Sequence, residues 1–285
     1  MRYFLIMNPG SKGGKSEKKF NLIHRLFEGY DCSYAITKTL DDAYLLSVKA
    51  NAEGFEAIIA VGGDGTINRV LNGFYDNQGK RTSAANFGVI YTGTSPDFCK
   101  TYNIPIDTEK AVQIILNGKI REIDVGKIEF TDGVRYFGCC ANIGLGATLA
   151  NNANGGIRKV LGDTLGTFFA LVKTLIQYKP INFSVNGKEL KHVYNLSAGK
   201  TYYVASGLKI AHELKLNDGR FYLLPLHGRV IQNIYKLYTG KPMKNIEYAC
   251  KIEIKGEGRV EFDGDEGGKL PCIITNAERL GVYVE

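Results

Sequence analysis

Residues 57–61, AIIAV, run without a break into Gly62-Gly63-Asp64-Gly65-Thr66, and apolar residues at helical spacing follow at once, Ile67, Val70 and Leu71. A strand apolar on both faces has to be covered on both faces, and this is the condition of a parallel sheet held between helices. The rest of the first third agrees. Apolar runs at 3–9, 33–39 and 87–94 read as further strands. Between them, Phe20, Ile23, Leu26 and Phe27 predict a helix ending near Gly29, Asp41 or Asp42 can cap a helix over 43–54, and Asp107 can cap one ending at Gly118. Alternation of this kind predicts a doubly covered parallel sheet.

Beyond about residue 120 the texture changes to short, hairpin-rich runs such as IDVGKIEF, INFSVNGKEL and LGVYVE, with one long helical segment at 156–178. The expected architecture is therefore an α/β N-terminal domain over residues 1–120 and a β-rich C-terminal sandwich domain over residues 121–285. The site is expected in the cleft between them.

The loop at 62–66 calls for a ligand. Gly62 and Gly63 let the backbone turn tightly and approach a ligand, and the amides from Gly63 to Ile67 open at a helix start, where the dipole favours negative charge. That arrangement suits phosphate. Asp64 opposes it unless a cation such as Mg²⁺, or a hydroxyl proton, lies between. Upstream, residues 9–16 nearly spell a P-loop, but counting back from Gly14-Lys15-Ser16 puts Pro9 where the first glycine is needed.

Composition narrows the class. The net charge of +7 suits anionic substrates or an anionic membrane surface, and no nucleic-acid recognition motif accompanies it. The six cysteines form no C-x-x-C pair, as expected of a reducing cytoplasm. No apolar stretch is long enough for a transmembrane helix. Oligomeric state is left open between monomer and homodimer.

Several motifs carry a family resemblance in order along nearly the whole chain: NPGSKGGK, VGGDGTINRVLNG, GVIYTGTSPDF, IREIDVGKI, ANIGLGATL, KIAHELKLNDGRFYLL and VEFDGDEGGKLP. Together these resemble the diacylglycerol kinase catalytic family, which includes bacterial lipid kinases and sphingosine kinases. The resemblance implies a two-domain fold with a sheet like that of NAD kinase and diacylglycerol kinase. It also implies ATP-dependent phosphorylation of a lipid hydroxyl such as that of diacylglycerol, a role in lipid metabolism, a cytoplasmic location peripheral to the inner membrane face, and Mg²⁺. Carried over by residue, Asn8, Gly62, Gly63, Asp64, Gly65, Thr66 and Asn68 would surround the ATP phosphates, and Thr94 would be the hydroxyl of the second nucleotide loop. Thr37 or Thr39 would touch the nucleotide. Asp218 would hold a metal, with the carbonyls of Lys215 and Arg220 as co-ligands, and Asp124 would join the polar network. The base would be Asp265, where the family has glutamate, or Glu266 one residue on; Asp64 would assist.

The chain departs from the family pattern at Ser95-Pro96-Asp97, which lacks the asparagine, at His212, which replaces a proline, and at the shortened Asp265. Pro96 and Asp265 would suit a non-catalytic nucleotide- or lipid-binding relative, whereas the intact 62–68 loop and Asp218 argue for a kinase. An NAD kinase shares the glycine loop but is opposed by Asn8-Pro9 and by the 92–97 loop.

Overall fold

The computed structural model describes residues 1–10, 17–145, 178–204, 208–228, 230–243 and 245–285. The predicted helix at 156–178 lies, but for its last residue, outside the described residues, as does most of the P-loop-like stretch.

Six strands form the first sheet: β1 (Tyr3–Met7), β2 (Cys32–Ile36), β3 (Ala57–Gly62), β4 (Asn86–Tyr91), β5 (Ile120–Ile123) and the final strand of the chain, β19 (Leu280–Tyr283). Their order is β2-β1-β3-β4-β19-β5, parallel throughout except for the β19–β5 pair. Every residue of β1 and β3 is buried, as continuous apolar runs require. Helices α2 (Leu40–Ala52) and α3 (Asp64–Asn72) bring Ala43, Ala50, Ile67, Val70 and Leu71 to one face; α1 (Phe20–Leu26) and α5 (Thr108–Asn117) bring Phe20, Ile23, Ala111 and Ile115 to the other.

The chain leaves β1 for β2 on one side and then crosses to β3 on the other. The sheet therefore switches direction between β1 and β3, and the crevice outside the carboxyl ends of these strands is where open α/β sheets take ligands.

The second sheet is antiparallel in every pairing. Its strands are β6 (Gly126–Phe130), β7 (Gly133–Phe137), β8 (Cys140–Gly144), β9 (Ile181–Val185), β10 (Lys188–Gly199), β13 (Phe221–His227), β14 (Glu247–Ala249), β15 (Ile252–Gly256), β16 (Arg259–Phe262), β17 (Asp265–Lys269) and β18 (Cys272–Asn276). A two-stranded ribbon of β11 (Tyr203–Val204) and β12 (Leu208–Lys209) stands apart from it, and α4 (Asp97–Tyr102) and α6 (Val230–Thr239) complete the described helices. This is the expected class: a parallel-sheet α/β domain followed by an antiparallel β domain.

Two expectations change in detail, and the structure fixes the start of α3. The last strand does not stay with the second sheet: β19 inserts between β4 and β5, because Leu280 and Val282, both fully buried, complete the core beside Phe87 and Ile123. Helix α2 is capped by Thr39 rather than by Asp41 or Asp42. Asp42 is the third helical residue, accepting the Thr39 amide at 2.8 Å while its own amide donates to the Thr39 hydroxyl at 3.3 Å, a capping box. Finally, α3 starts at Asp64, with Gly63 as the N-cap, so Asp64 is part of the helix.

If β19 closes the first sheet, Leu280→Ala should cost about 2–5 kcal/mol, the range for emptying a fully buried leucine site. Urea denaturation measures it; a loss under about 1 kcal/mol would mean that the strand is peripheral to that core.

Candidate active site at the carboxyl ends of the parallel strands

Four loops meet where β1, β2, β3 and β4 end. The amide of Asn8 donates to Val61 O at 2.9 Å, that of Thr37 to Met7 O at 2.9 Å, and that of Thr92 to Gly62 O at 2.9 Å, so the ladder carries each loop outward in register. The Asn8 side chain then donates to the Thr66 hydroxyl at 2.8 Å, tying the end of β1 to the first turn of α3. A Cβ on Gly62 would overlap the Thr66 side chain, and one on Gly93 would sit 2.6 Å from Gly63 Cα. Glycine is required at position 62 by the first turn of α3 and at position 93 by the close approach of the two loops. Asn8, Thr37, Gly62, Gly63, Asp64, Gly65 and Thr66 thus share one crevice with Thr94, which is exposed in the loop between β4 and α4. Thr39 is instead occupied as the cap of α2.

No side chain caps α3 at Gly63, so its first amides open to the crevice at the positive end of the helix dipole. Asp64 is the first helical residue there. One of its carboxylate oxygens accepts from the Tyr91 hydroxyl at 3.1 Å, and the other is enclosed without a partner among the described residues. Burial, then the nearby charge of Asp97, push the Asp64 carboxyl up to about 8, despite the Tyr91 bond. Asp97 is buried at the start of α4 and stands near the Ser95 hydroxyl, 3.4 Å away. Carboxylates desolvated beside open amides are of the chemistry that a cation arriving with phosphate would neutralise.

Asn68 has a different position from the one expected. Fully buried one helical turn beyond Asp64, it donates to Tyr136 O at 3.0 Å and to Asp263 Oδ2 at 3.0 Å. Asn72, a turn further on, exchanges two hydrogen bonds with the Tyr136 backbone, at 2.8 and 2.9 Å. The two asparagines strap β7 onto α3. Asp263 occupies a left-handed turn at φ 52° and also accepts the amides of Gly138 at 2.7 Å, Cys139 at 2.8 Å and Cys140 at 3.2 Å. Burial pushes the Asp263 carboxyl up to about 6, against the pull of these bonds.

Asp263 fixes the turn that carries both candidate bases. The backbones of Asp265 and Glu266 open β17 opposite Phe262 and Glu261 of β16. Their side chains lie outside what is described.

Asp218, Lys215, Arg220 and Asp124 gather at a second place, across Cys139 from the first: the Cys139 amide goes to Asp263, and its carbonyl accepts the Lys200 amide at 3.2 Å. Both oxygens of Asp218 are engaged, by the amides of Arg220 at 3.0 Å and Lys215 at 3.2 Å and by the Arg220 guanidinium at 3.0 Å. Burial alone would raise the Asp218 carboxyl, but these donors outweigh it and hold it below the ordinary value. The Arg220 carbonyl accepts the Lys200 ammonium at 2.7 Å. Asp124 is buried and accepts from Lys200 at 3.0 Å, Gly219 N at 2.7 Å and Arg279 at 3.1 Å. With its carboxylates committed to Lys200, Arg220 and Arg279, this set does not fit a resident divalent ion. His212 packs, stacked 4.5 Å from the Tyr202 ring.

Sequence reasoning passed over Asp97, Tyr91, Asp263, Lys200 and Arg279. The T-S-P-D and D-G-D-E stretches could have pointed to Asp97 and Asp263; nothing local marks the others.

Comparison with known proteins agrees with this architecture. Residues 2–128 match the model of the diacylglycerol kinase catalytic domain. The diacylglycerol kinase of Staphylococcus aureus (strain MRSA252) is 29% identical over 295 residues, spanning 96% of this chain and 89% of that protein; that of strain Newman is 29% identical over 293 residues, with the same coverage. Among solved structures, a diacylglycerol kinase from Bacillus anthracis str. Sterne superposes with a TM-score of 0.73 at 19% identity, covering 100% of this chain and 97% of that one. These likenesses support the diacylglycerol kinase catalytic-domain family and, with it, a lipid kinase, and no described helix is long and apolar enough to cross a membrane.

The raised Asp64 value has a definite sign. Stability linked to this group is full below the ordinary value of 3.8, where it is protonated in both states, and is lost as pH rises through about 8, where the folded chain has to hold a buried anion. In nucleotide-free buffer with chelator, Asp64→Asn should raise the thermal midpoint by at least about 3 °C at pH 9 and by a much smaller amount at pH 5, where only the first part of the linked stability has been lost. A midpoint that falls at pH 9 would place the carboxylate in a solvated setting.

Proposed function

We propose that this chain transfers the γ-phosphoryl group of ATP, taken up with Mg²⁺ as the substrate complex, to a hydroxyl of a lipid such as diacylglycerol. The observation that carries this reading is the enclosed oxygen of Asp64, without a partner among the described residues, at the uncapped start of α3. Carboxylates there would repel phosphates unless the cation arrived with them, and a metal–nucleotide complex meets both demands.

On this reading the amides of the first turn of α3 hold the phosphate oxygens, the glycine pair at 62–63 permits their approach, and Thr37 and Thr94 border the nucleotide. Asp64 and Asp97 would hold the Mg²⁺ of the substrate, whose contribution is to neutralise charge developing on the transferred group. Asp265 or Glu266, on the turn anchored by Asp263, accepts the proton of the lipid hydroxyl. Residues 1–123, completed by β19, would form the nucleotide-binding unit, and residues 126–276 would supply the lipid side of the cleft. The net charge of +7 favours work at an anionic membrane surface from the cytoplasmic side. A homodimer is compatible with this reading and not required by it.

The test is transfer of labelled phosphate from ATP and Mg²⁺ into diacylglycerol, phosphatidylglycerol, a sphingoid base and ceramide in mixed micelles, with NAD as control. One labelled lipid is expected. Of Asp265→Asn and Glu266→Gln, the one that removes the base should lower kcat about 10²–10⁴-fold. Label in NAD would replace the lipid reading, and bound ATP with no label in any acceptor would favour the non-catalytic relative.

A further inference from the structure

The buried Lys200 ammonium has a complete set of partners. It is 1% exposed, donates to Asp124 Oδ2 at 3.0 Å and to the Arg220 carbonyl at 2.7 Å, and lies 4.3 Å from the centroid of the Phe221 ring. Three N–H directions thus meet a carboxylate, a carbonyl and an aromatic face. The third partner is informative. A ring face attracts an ammonium, whereas Mg²⁺ requires oxygen ligands in near-octahedral order and retains several waters. The two other basic groups of the cluster are also spent, Arg279 on Asp124 and Arg220 on Asp218. Two carboxylates, Asp124 and Asp218, therefore face three cationic side chains, which leaves no negative charge for a divalent ion to neutralise.

We propose that Lys200 is the resident cation of this site. Its ammonium does the work for which a metal would otherwise be needed: it neutralises Asp124, caps the Arg220 carbonyl, and pins the loop 215–220 to the end of β10 and to the segment joining the two sheets. The chain then needs no structural divalent ion at Asp218, and its metal requirement is confined to the ion that accompanies the nucleotide. This proposal does not depend on which lipid is phosphorylated, or on catalysis at all.

The test counts Mn²⁺ bound to the nucleotide-free protein by the loss of the free-ion EPR signal, in the unaltered chain and in Asp218→Asn. Equal counts are expected. One equivalent lost in Asp218→Asn would overturn the proposal, because it would place a metal on that carboxylate. In parallel, Lys200→Met, which keeps the length and removes the charge, should lower the thermal midpoint by on the order of 10 °C, as expected when one partner of a buried pair is removed. An unchanged midpoint would also overturn it. Should Lys200→Met fail to fold, the Mn²⁺ comparison still decides.

Discussion

The carboxylate of Asp263 holds the two halves of the molecule in one arrangement. It is half-buried, takes three successive backbone amides from Gly138 to Cys140 at the start of β8, and accepts the Asn68 amide from α3. Each donor would be costly to leave unpaired in a dry interior. The turn at 263–264 can therefore sit only where the helix carrying Asp64 already is. Asn68 lies one helical turn from Asp64, so the segment bearing Asp265 and Glu266 is held near the proposed phosphate site by the helix that forms that site. Catalysis that relies on alignment more than on covalent help requires rigidity of this kind.

Around that clasp the charges are arranged in two unlike ways. At the strand ends the Asp64 carboxyl is desolvated and feels the charge of Asp97, and it rises accordingly. Across Cys139, Asp124 and Asp218 are saturated by Lys200, Arg279 and Arg220. The second set already holds a cation, whereas at the first the cost of the buried Asp64 carboxyl is one that a substrate complex arriving with its cation would relieve on the proposed reading.

How much of this was legible in the sequence depended on the range of the interaction. The strands β1 and β3 announced themselves as unbroken apolar runs, and the 62–66 loop as glycines set between a strand and a helix, because these features are local. The destination of β19 could not be read. LGVYVE has the apolar character of a buried strand, but nothing in those residues says which sheet lacks a member. The family resemblance placed Asn68 among the residues around the phosphates. Its amide instead reaches Asp263, 195 residues away in sequence. Lys200 and Asp124 are 76 residues apart, and neither sits in a pattern that marks a buried pair. The metal at 215–220 was implied only by the family resemblance of that stretch, whereas the lysine that fills the place arrives from the end of another strand.

The most direct test of the central claim is a crystal structure with a non-hydrolysable ATP analogue and Mg²⁺. The phosphates should lie on the amides of Gly63 to Thr66, with the ion on Asp64 and Asp97 and with the Asn68–Asp263 bond intact. Phosphates bound elsewhere, or an ion seated on Asp218 with Lys200 displaced, would contradict the account.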